Sequence, residues 1–218
     1  MVAVSNLVAE KVRRARITQS PEVIYPPTNL TQDCNSKSRA KPSHLNVATV
    51  SRIAPEKGLG FLTPLARECK KAELPATFNL VGAATDVGYR DKVVNSFEGR
   101  VNFLGQKTGK DLCLAYNQAD VTVFPSTNEA FGLVTVESLQ HGAPVISRNA
   151  AAGEITSNQV GTVVDRDEAL GISQAMCYMG KLLDESGFME AESEAAFAVG
   201  KKFNSGDLVT KFVDFVTR

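Results

Sequence analysis

The sequence predicts an α/β protein: a parallel sheet with helices on both faces. Two observations lead there. From residue 45 onward, short apolar runs alternate with helical stretches of about ten residues or more, the pattern of βαβ units. The runs are also apolar enough, LNVATV (45–50) first among them, to be buried on both faces, as strands of a parallel sheet are. At 218 residues the chain suffices for one large domain or two small ones.

The elements follow in order. Residues 3–15 read as a short amphipathic helix, with Val4, Leu7, Val8 and Val12 on one stripe and Lys11, Arg13, Arg14 and Arg16 mostly off it. EVIYPP (22–27) is an extended piece stopped by two prolines. TNLTQDCNSKSRAKPS (28–43) is polar and aperiodic, a linker or surface loop. Strands are then expected at 45–50, 77–82, 100–105, 120–125, 144–147 and 161–164. Between and after them come helices at 58–72, 89–98, 110–119, 131–142 and 167–184, with Pro64 in the first turns of its helix or at a kink. Two helices close the chain, 190–203 and 207–218. The last has a wide apolar face (Leu208, Val209, Phe212, Val213, Phe215, Val216) and Asp207 or Ser205 as its cap.

Composition narrows the function. Lys and Arg total 24 and so do Asp and Glu, which leaves no electrostatic footprint for nucleic acid. The four cysteines are scattered without a CxxC pair, so reduced thiols are expected and a zinc site is not. No apolar run is long enough to span a bilayer, and the opening MVAVSNLVAEKVRRA places its charges after its apolar stretch, unlike a secretion signal. A cytoplasmic location is expected. The basic cluster of the first helix reads as a solvated face, and contact with a membrane surface has no further support.

In an open α/β sheet, ligands bind beyond the carboxyl ends of the strands. The first such loop, SRIAPEKGLG (51–60), brings Arg52 and Lys57 to a helix start, where unpaired N–H groups and the dipole suit phosphate. Two solvated cations on a surface loop fit the same residues, and neither GxxxxGK[ST] nor GxGxxG is present. VGAATDVG (81–88) reads as a plain turn. STNEAFGLVTVE (126–137) places Glu129 on the loop after a strand and Glu137 a little over one turn into a helix. Carboxylates there suit vicinal sugar hydroxyls, and equally suit a helix dipole or solvent.

Taken in order, these segments resemble one family along nearly the whole chain. VSRIAPEKG (50–58), NLVG (79–82), VNFLGQ (101–106), LAYNQADVTVFPS (114–126) and NEAFGLVTVESLQHGAPVI (128–146) are similar to the donor-binding C-terminal domain of the retaining glycosyltransferases of family 4 (group 1), which have the GT-B fold of two facing Rossmann-like domains, so the resemblance implies a Rossmann-like parallel sheet with helices on both faces. The last segment carries that family's two glutamates separated by seven residues, with His141 where a small residue is usual; a packed histidine is expected there. The resemblance implies a nucleoside-diphosphate sugar donor, UDP- or GDP-linked, no cofactor and no metal. It implies that Arg52 and Lys57 hold the diphosphate, that Glu137 takes the ribose hydroxyls, and that Glu129 lies near the transferred sugar. By the same resemblance, Arg52, Lys57 and Glu129 are expected to form the catalytic set. Gly82, Phe103, Leu104, Lys107, Phe131, Gly132 and Leu133 complete the donor site, with Phe103–Lys107 near the base and the Phe131–Leu133 amides on the sugar or phosphate.

The resemblance also implies three parts: 1–42 as a remnant helix, crossover strand and polar linker; 43–204 as the nucleotide-sugar-binding domain; and 205–218 as a helix packing back on the N-terminal segment or on a partner. The resemblance implies that the family's N-terminal half is missing from this sequence. The chain is expected to be inactive in transfer to its unknown acceptor without that half, supplied by a partner chain, or to form a homodimer. The other reading is a non-catalytic nucleotide-sugar-binding module.

Overall fold

The computed structural model of the chain describes residues 1–26, 28, 39–84, 86–156, 159–203 and 205–217. Most of the predicted linker, with Cys34, lies outside the described residues. Six parallel strands form the sheet: β3 (Leu45–Val50), β4 (Ala76–Val81), β5 (Val101–Phe103), β6 (Val121–Phe124), β7 (Val145–Ser147) and β8 (Thr162–Val163), in the order β5-β4-β3-β6-β7-β8. A separate parallel pair near the start, β1 (Val2–Ala3) with β2 (Glu22–Val23), is linked by helix α1 (Asn6–Arg14).

The remaining helices are α2 (Leu62–Lys71), α3 (Val87–Ser96), α4 (Gly109–Gln118), α5 (Leu133–Gln140), α6 (Ala150–Thr156), α7 (Glu168–Asp184), α8 (Phe188–Gly200) and α9 (Ser205–Val216). Two apolar clusters hold them to the sheet. Val123 and Ile146 belong to one, with residues of α2 and α7; Phe124 and Val145 belong to the other, with residues of α5 and α8. Neighbours along a strand point to opposite faces, so the clusters lie on the two sides of the sheet. The expected layering is what the chain adopts.

Three local expectations change. The helix predicted from residue 58 starts as two 3₁₀ turns, Pro55–Lys57 and Leu59–Phe61, and becomes α-helical only at Leu62, with Pro64 in its first turn. The helix predicted from residue 3 starts at Asn6, because Val2 and Ala3 join a strand and Ser5 Oγ caps the helix, accepting from Val8 N at 3.2 Å. Between the strands expected at 144–147 and 161–164, where no element is expected, lies a helix, α6, whose start is fixed by Asn149 Oδ1 accepting from Ala151 N at 2.7 Å. Its small residues, AAAGEIT, have no apolar period to read. Cys69 and Cys177 are free thiols as expected, whereas Cys113 is disulfide-bonded. Among the described residues no helix is long and apolar enough to cross a membrane. In α9, Leu208 is buried in the same cluster as Phe131 and Phe203, against which Tyr25 packs, while Val209, Val213 and Val216 are exposed.

Arg39, within the stretch read as a linker, is buried. Its guanidinium donates to the carbonyls of Ala119 (2.6 Å), His141 (2.5 Å) and Tyr116 (2.9 Å). Those carbonyls lie at the C-terminal ends of α4 and α5, where backbone acceptors lack helical partners. Burial pushes the guanidinium down to about 10, against the pull of Asp120, and leaves it charged at neutral pH. Arg39 thus ties two helix ends to one cation. Replacing it with alanine strands the Ala119 and His141 carbonyls, while Tyr116 O keeps its bond from Ala119 N, and Arg39→Ala is expected to destabilise the fold by about 2–4 kcal/mol in urea denaturation.

Candidate functional site

The strand order reverses between β3 and β6, which are adjacent in the sheet but not in sequence. The chain leaves their carboxyl ends toward opposite edges, and a crevice opens between the two loops. The loop after β3 carries Arg52 and Lys57, and the loop after β6 carries Glu129. Lys57 Nζ meets Glu129 Oε1 at 2.5 Å across this crevice, with the two side chains 17% and 21% exposed. Arg52 stands at the mouth, exposed, paired with Glu56 at 3.1 Å. A cavity of about 380 Å³ lies beside them, and its polar lining includes Arg52, Lys57 and Glu129. Its apolar wall includes Phe124, Leu133 and Val134, together with Val4 and Pro26 from the N-terminal segment.

Gly132 makes the turn into α5. Its φ of 97° is in the left-handed region, and a Cβ there would sit 3.1 Å from Phe124 Cε1. That turn delivers Glu129 to the crevice and places Phe131, Gly132 and Leu133 along the cavity. The Phe131 ring itself is buried, stacked on Tyr25.

Glu137, one turn further along α5, does not line this cavity. Its Oε2 accepts from the hydroxyl of the buried Tyr116 at 2.8 Å, and burial holds its carboxyl above the usual carboxylate value despite that bond. Phe103 packs against the core, and Leu104 is exposed on a second cavity of about 380 Å³ with Val81, Ala115 and Gln118. Lys107 is half-exposed. Gly82 serves the backbone: its N–H donates to Gly105 O at 2.9 Å, and an added Cβ would lie 1.7 Å from Ser51 O. The structure therefore gathers Arg52, Lys57, Glu129 and Phe131–Leu133 around one cavity, and sets Gly82, Phe103, Leu104, Lys107 and Glu137 outside it.

Sequence reasoning missed Tyr116, Val4 and Pro26. Val4 and Pro26 reach the site through tertiary folding alone. Tyr116 reads as an ordinary core aromatic, and nothing local marks its hydroxyl for Glu137.

His141 is packed, as expected. It ends α5, stacks on Tyr116 with centroids 5.3 Å apart, and donates from Nδ1 to Glu137 O at 2.7 Å. Its Nε2 lies 3.2 Å from Cys113 Sγ. Burial, helped by the Arg39 cation, keeps the imidazole below its usual value against the pull of the Glu137 carbonyl.

Residues 44–181, more than half of the chain, match the family model of the glycosyl transferases group 1. Among curated proteins, the chain is 28% identical over 188 residues to an uncharacterized 41.2 kDa protein in the cps region of Klebsiella pneumoniae, covering 83% of this chain and 48% of that protein. It is 27% identical over 175 residues to the D-inositol 3-phosphate glycosyltransferase of Corynebacterium diphtheriae, covering 75% and 40% respectively. The chain thus spans less than half the length of either relative. Among solved structures, Anabaena HepE in complex with UDP-glucose superposes with a TM-score of 0.82 at 20% identity, over 99% of this chain and 63% of that one. The pneumococcal O-GlcNAc transferase GtfA, in complex with UDP and GlcNAc, does so with a TM-score of 0.78 at 21% identity, over 99% and 44%. At these identities the superpositions establish the fold.

The buried His141 gives the region a pH dependence. The folded-state value lies below the unfolded one, so its contribution to stability is full above the unfolded value near 6.5 and is lost progressively as pH falls below it. The raised Glu137 carboxyl acts in the opposite sense on acidification. Subtracting the His141→Gln variant isolates the histidine: wild type is expected to lose more stability than the variant between pH 7.5 and 5.5 in urea titrations.

Proposed function

The chain belongs to the glycosyl transferases group 1, and from that premise we propose that its crevice binds the diphosphate and sugar of a nucleotide-sugar donor. The observation that carries the reading is the meeting of Lys57 and Glu129 across the β3–β6 crevice, with Arg52 at its mouth. A diphosphate needs cations, and a hexose needs a carboxylate acceptor within reach of its hydroxyls. The crevice holds both within one cavity.

In transfer with retention of configuration, the anomeric carbon becomes oxocarbenium-like while negative charge grows on the departing diphosphate. Lys57 and Arg52 would meet that charge, and fixed cations in a crevice stabilise it without reorganisation. Lys57 then exchanges its Glu129 partner for phosphate oxygen, which frees the Glu129 carboxylate for the sugar. Glu137 is assigned to the ribose: its Oε2 is held by Tyr116, and its other oxygen has no partner among the described residues. Leu104, exposed after β5, is assigned to the base. Transfer also needs an acceptor-binding wall opposite these loops, because an open cleft neither excludes water nor orients an acceptor. We assign that wall to a further domain or a partner chain, and the acceptor is open. UDP is the first nucleotide to test, since HepE and GtfA have each been crystallised in complex with it.

A thermal-shift screen of UDP, GDP, ADP and their sugars tests the reading, and no response to any of them would remove it. With the responding nucleotide diphosphate, Arg52→Ala and Lys57→Ala are each expected to weaken binding by about 10- to 100-fold in calorimetry, the worth of one charged hydrogen bond. Unchanged affinity in both variants would remove the phosphate assignment.

A further inference from the structure

The turn that carries Glu129 is held from the far end of the chain. Ser5 is fully buried, and its Oγ–H donates to Ala130 O at 2.5 Å. Tyr25 stacks on Phe131 with centroids 5.2 Å apart, and Phe203 meets both rings at 5.3 and 6.0 Å. Both anchors belong to one braced piece. β1 and β2 pair, and the Glu154 carboxylate of α6 accepts from Asn6 N (2.7 Å), Leu7 N (3.1 Å) and the Tyr25 hydroxyl (3.2 Å). The same segment puts Val4 and Pro26 into the cavity wall.

Capping α1 asks only for a lone pair of Ser5 Oγ, which Val8 N–H already engages. The hydroxyl proton is a separate resource, and it goes to Ala130. The Ala130 carbonyl and the Phe131 N–H share one planar trans peptide, so they point in opposite directions. Fixing the carbonyl on Ser5 therefore fixes the direction of the Phe131 N–H, which has no acceptor among the described residues. We propose that Ser5 is a positioning residue of the donor site: it sets the Glu129–Gly132 turn, so that the N-terminal segment governs how the sugar part of the donor is held. This rests on the donor reading above.

Calorimetry with UDP, UDP-glucose and UDP-N-acetylglucosamine separates this role from a structural one. The turn serves the sugar, and Arg52 and Lys57 serve the diphosphate. Ser5→Ala is therefore expected to weaken the better-bound UDP-sugar about tenfold while changing UDP less than about twofold. Ser5→Thr, which keeps the hydroxyl, is expected to restore the ratio. Tyr25→Leu removes the second anchor and carries the same expectation, which keeps the test open should Ser5→Ala fail to fold. Equal weakening of UDP and UDP-sugar, or no change in either, would overturn the positioning role and leave Ser5 as a cap. A wild-type chain that binds none of the three probes would overturn the donor reading, and this inference with it.

Discussion

Parallel pairing of β3 with β6, Val47 against Val121 and Ala48 against Thr122, is the contact on which the site depends. Two strands distant in sequence lie side by side, and the chain departs from them toward opposite edges of the sheet. Only there do two βα loops face each other across a gap instead of running over the same helix layer. Both strands are central and largely buried, β6 completely so, which explains their dense apolar runs. Arg52 and Lys57 on one side and Glu129 on the other converge because the sheet brings their loops together.

Around that gap the supporting structure is polar and specific. Arg39 gathers the ends of α4 and α5, and Tyr116 links the same two helices through Glu137. The orientation of α5, whose first turn borders the cavity, is thus set at its far end by a buried cation and midway by a buried phenol. Each would be costly to bury without its partners. On the other side, the N-terminal pair β1–β2 and α1 press on the turn before α5 through Ser5 and Tyr25. The turn is held between groups from positions as far apart as Ser5 and Phe203.

What could be read from the sequence follows from how local each signal is. β3 was legible to the residue, because LNVATV is a dense apolar run ended by the polar Ser51 and Arg52. The spacing of Glu129 and Glu137 and the glycine between them were legible as a loop-to-helix unit, and so were the cations after β3. Arg39 was not: a single arginine in a polar stretch has no periodicity, and its burial depends on two helix ends that fold elsewhere. Ser5 falls inside the helix expected at 3–15, with nothing local to mark it, and its bond to Ala130 spans 125 positions. Helix α6 escaped because alanine and glycine carry no amphipathic pattern.

The Lys57–Glu129 pair contributes little to holding the crevice together. The pair is partly buried, and its Coulomb gain is offset by the desolvation of both charges and the ordering of two long side chains, so the net is on the order of 1 kcal/mol or less. The loops have firmer ties. Gly58 lets its loop pass so close to the next that a Cβ would lie 2.6 Å from Pro125 O, and Tyr25, Phe131 and Phe203 anchor the Glu129 turn. A weak ion pair on firmly held loops can be given up, as the proposed donor binding requires, without loss of structure. The same pair keeps Lys57 and Glu129 extended toward each other, so in the proposed exchange the entropy of ordering two long side chains is already met. The crevice is in that sense preorganised: the sheet sets the distance, the N-terminal segment sets the turn, and the ion pair holds both charges ready for exchange.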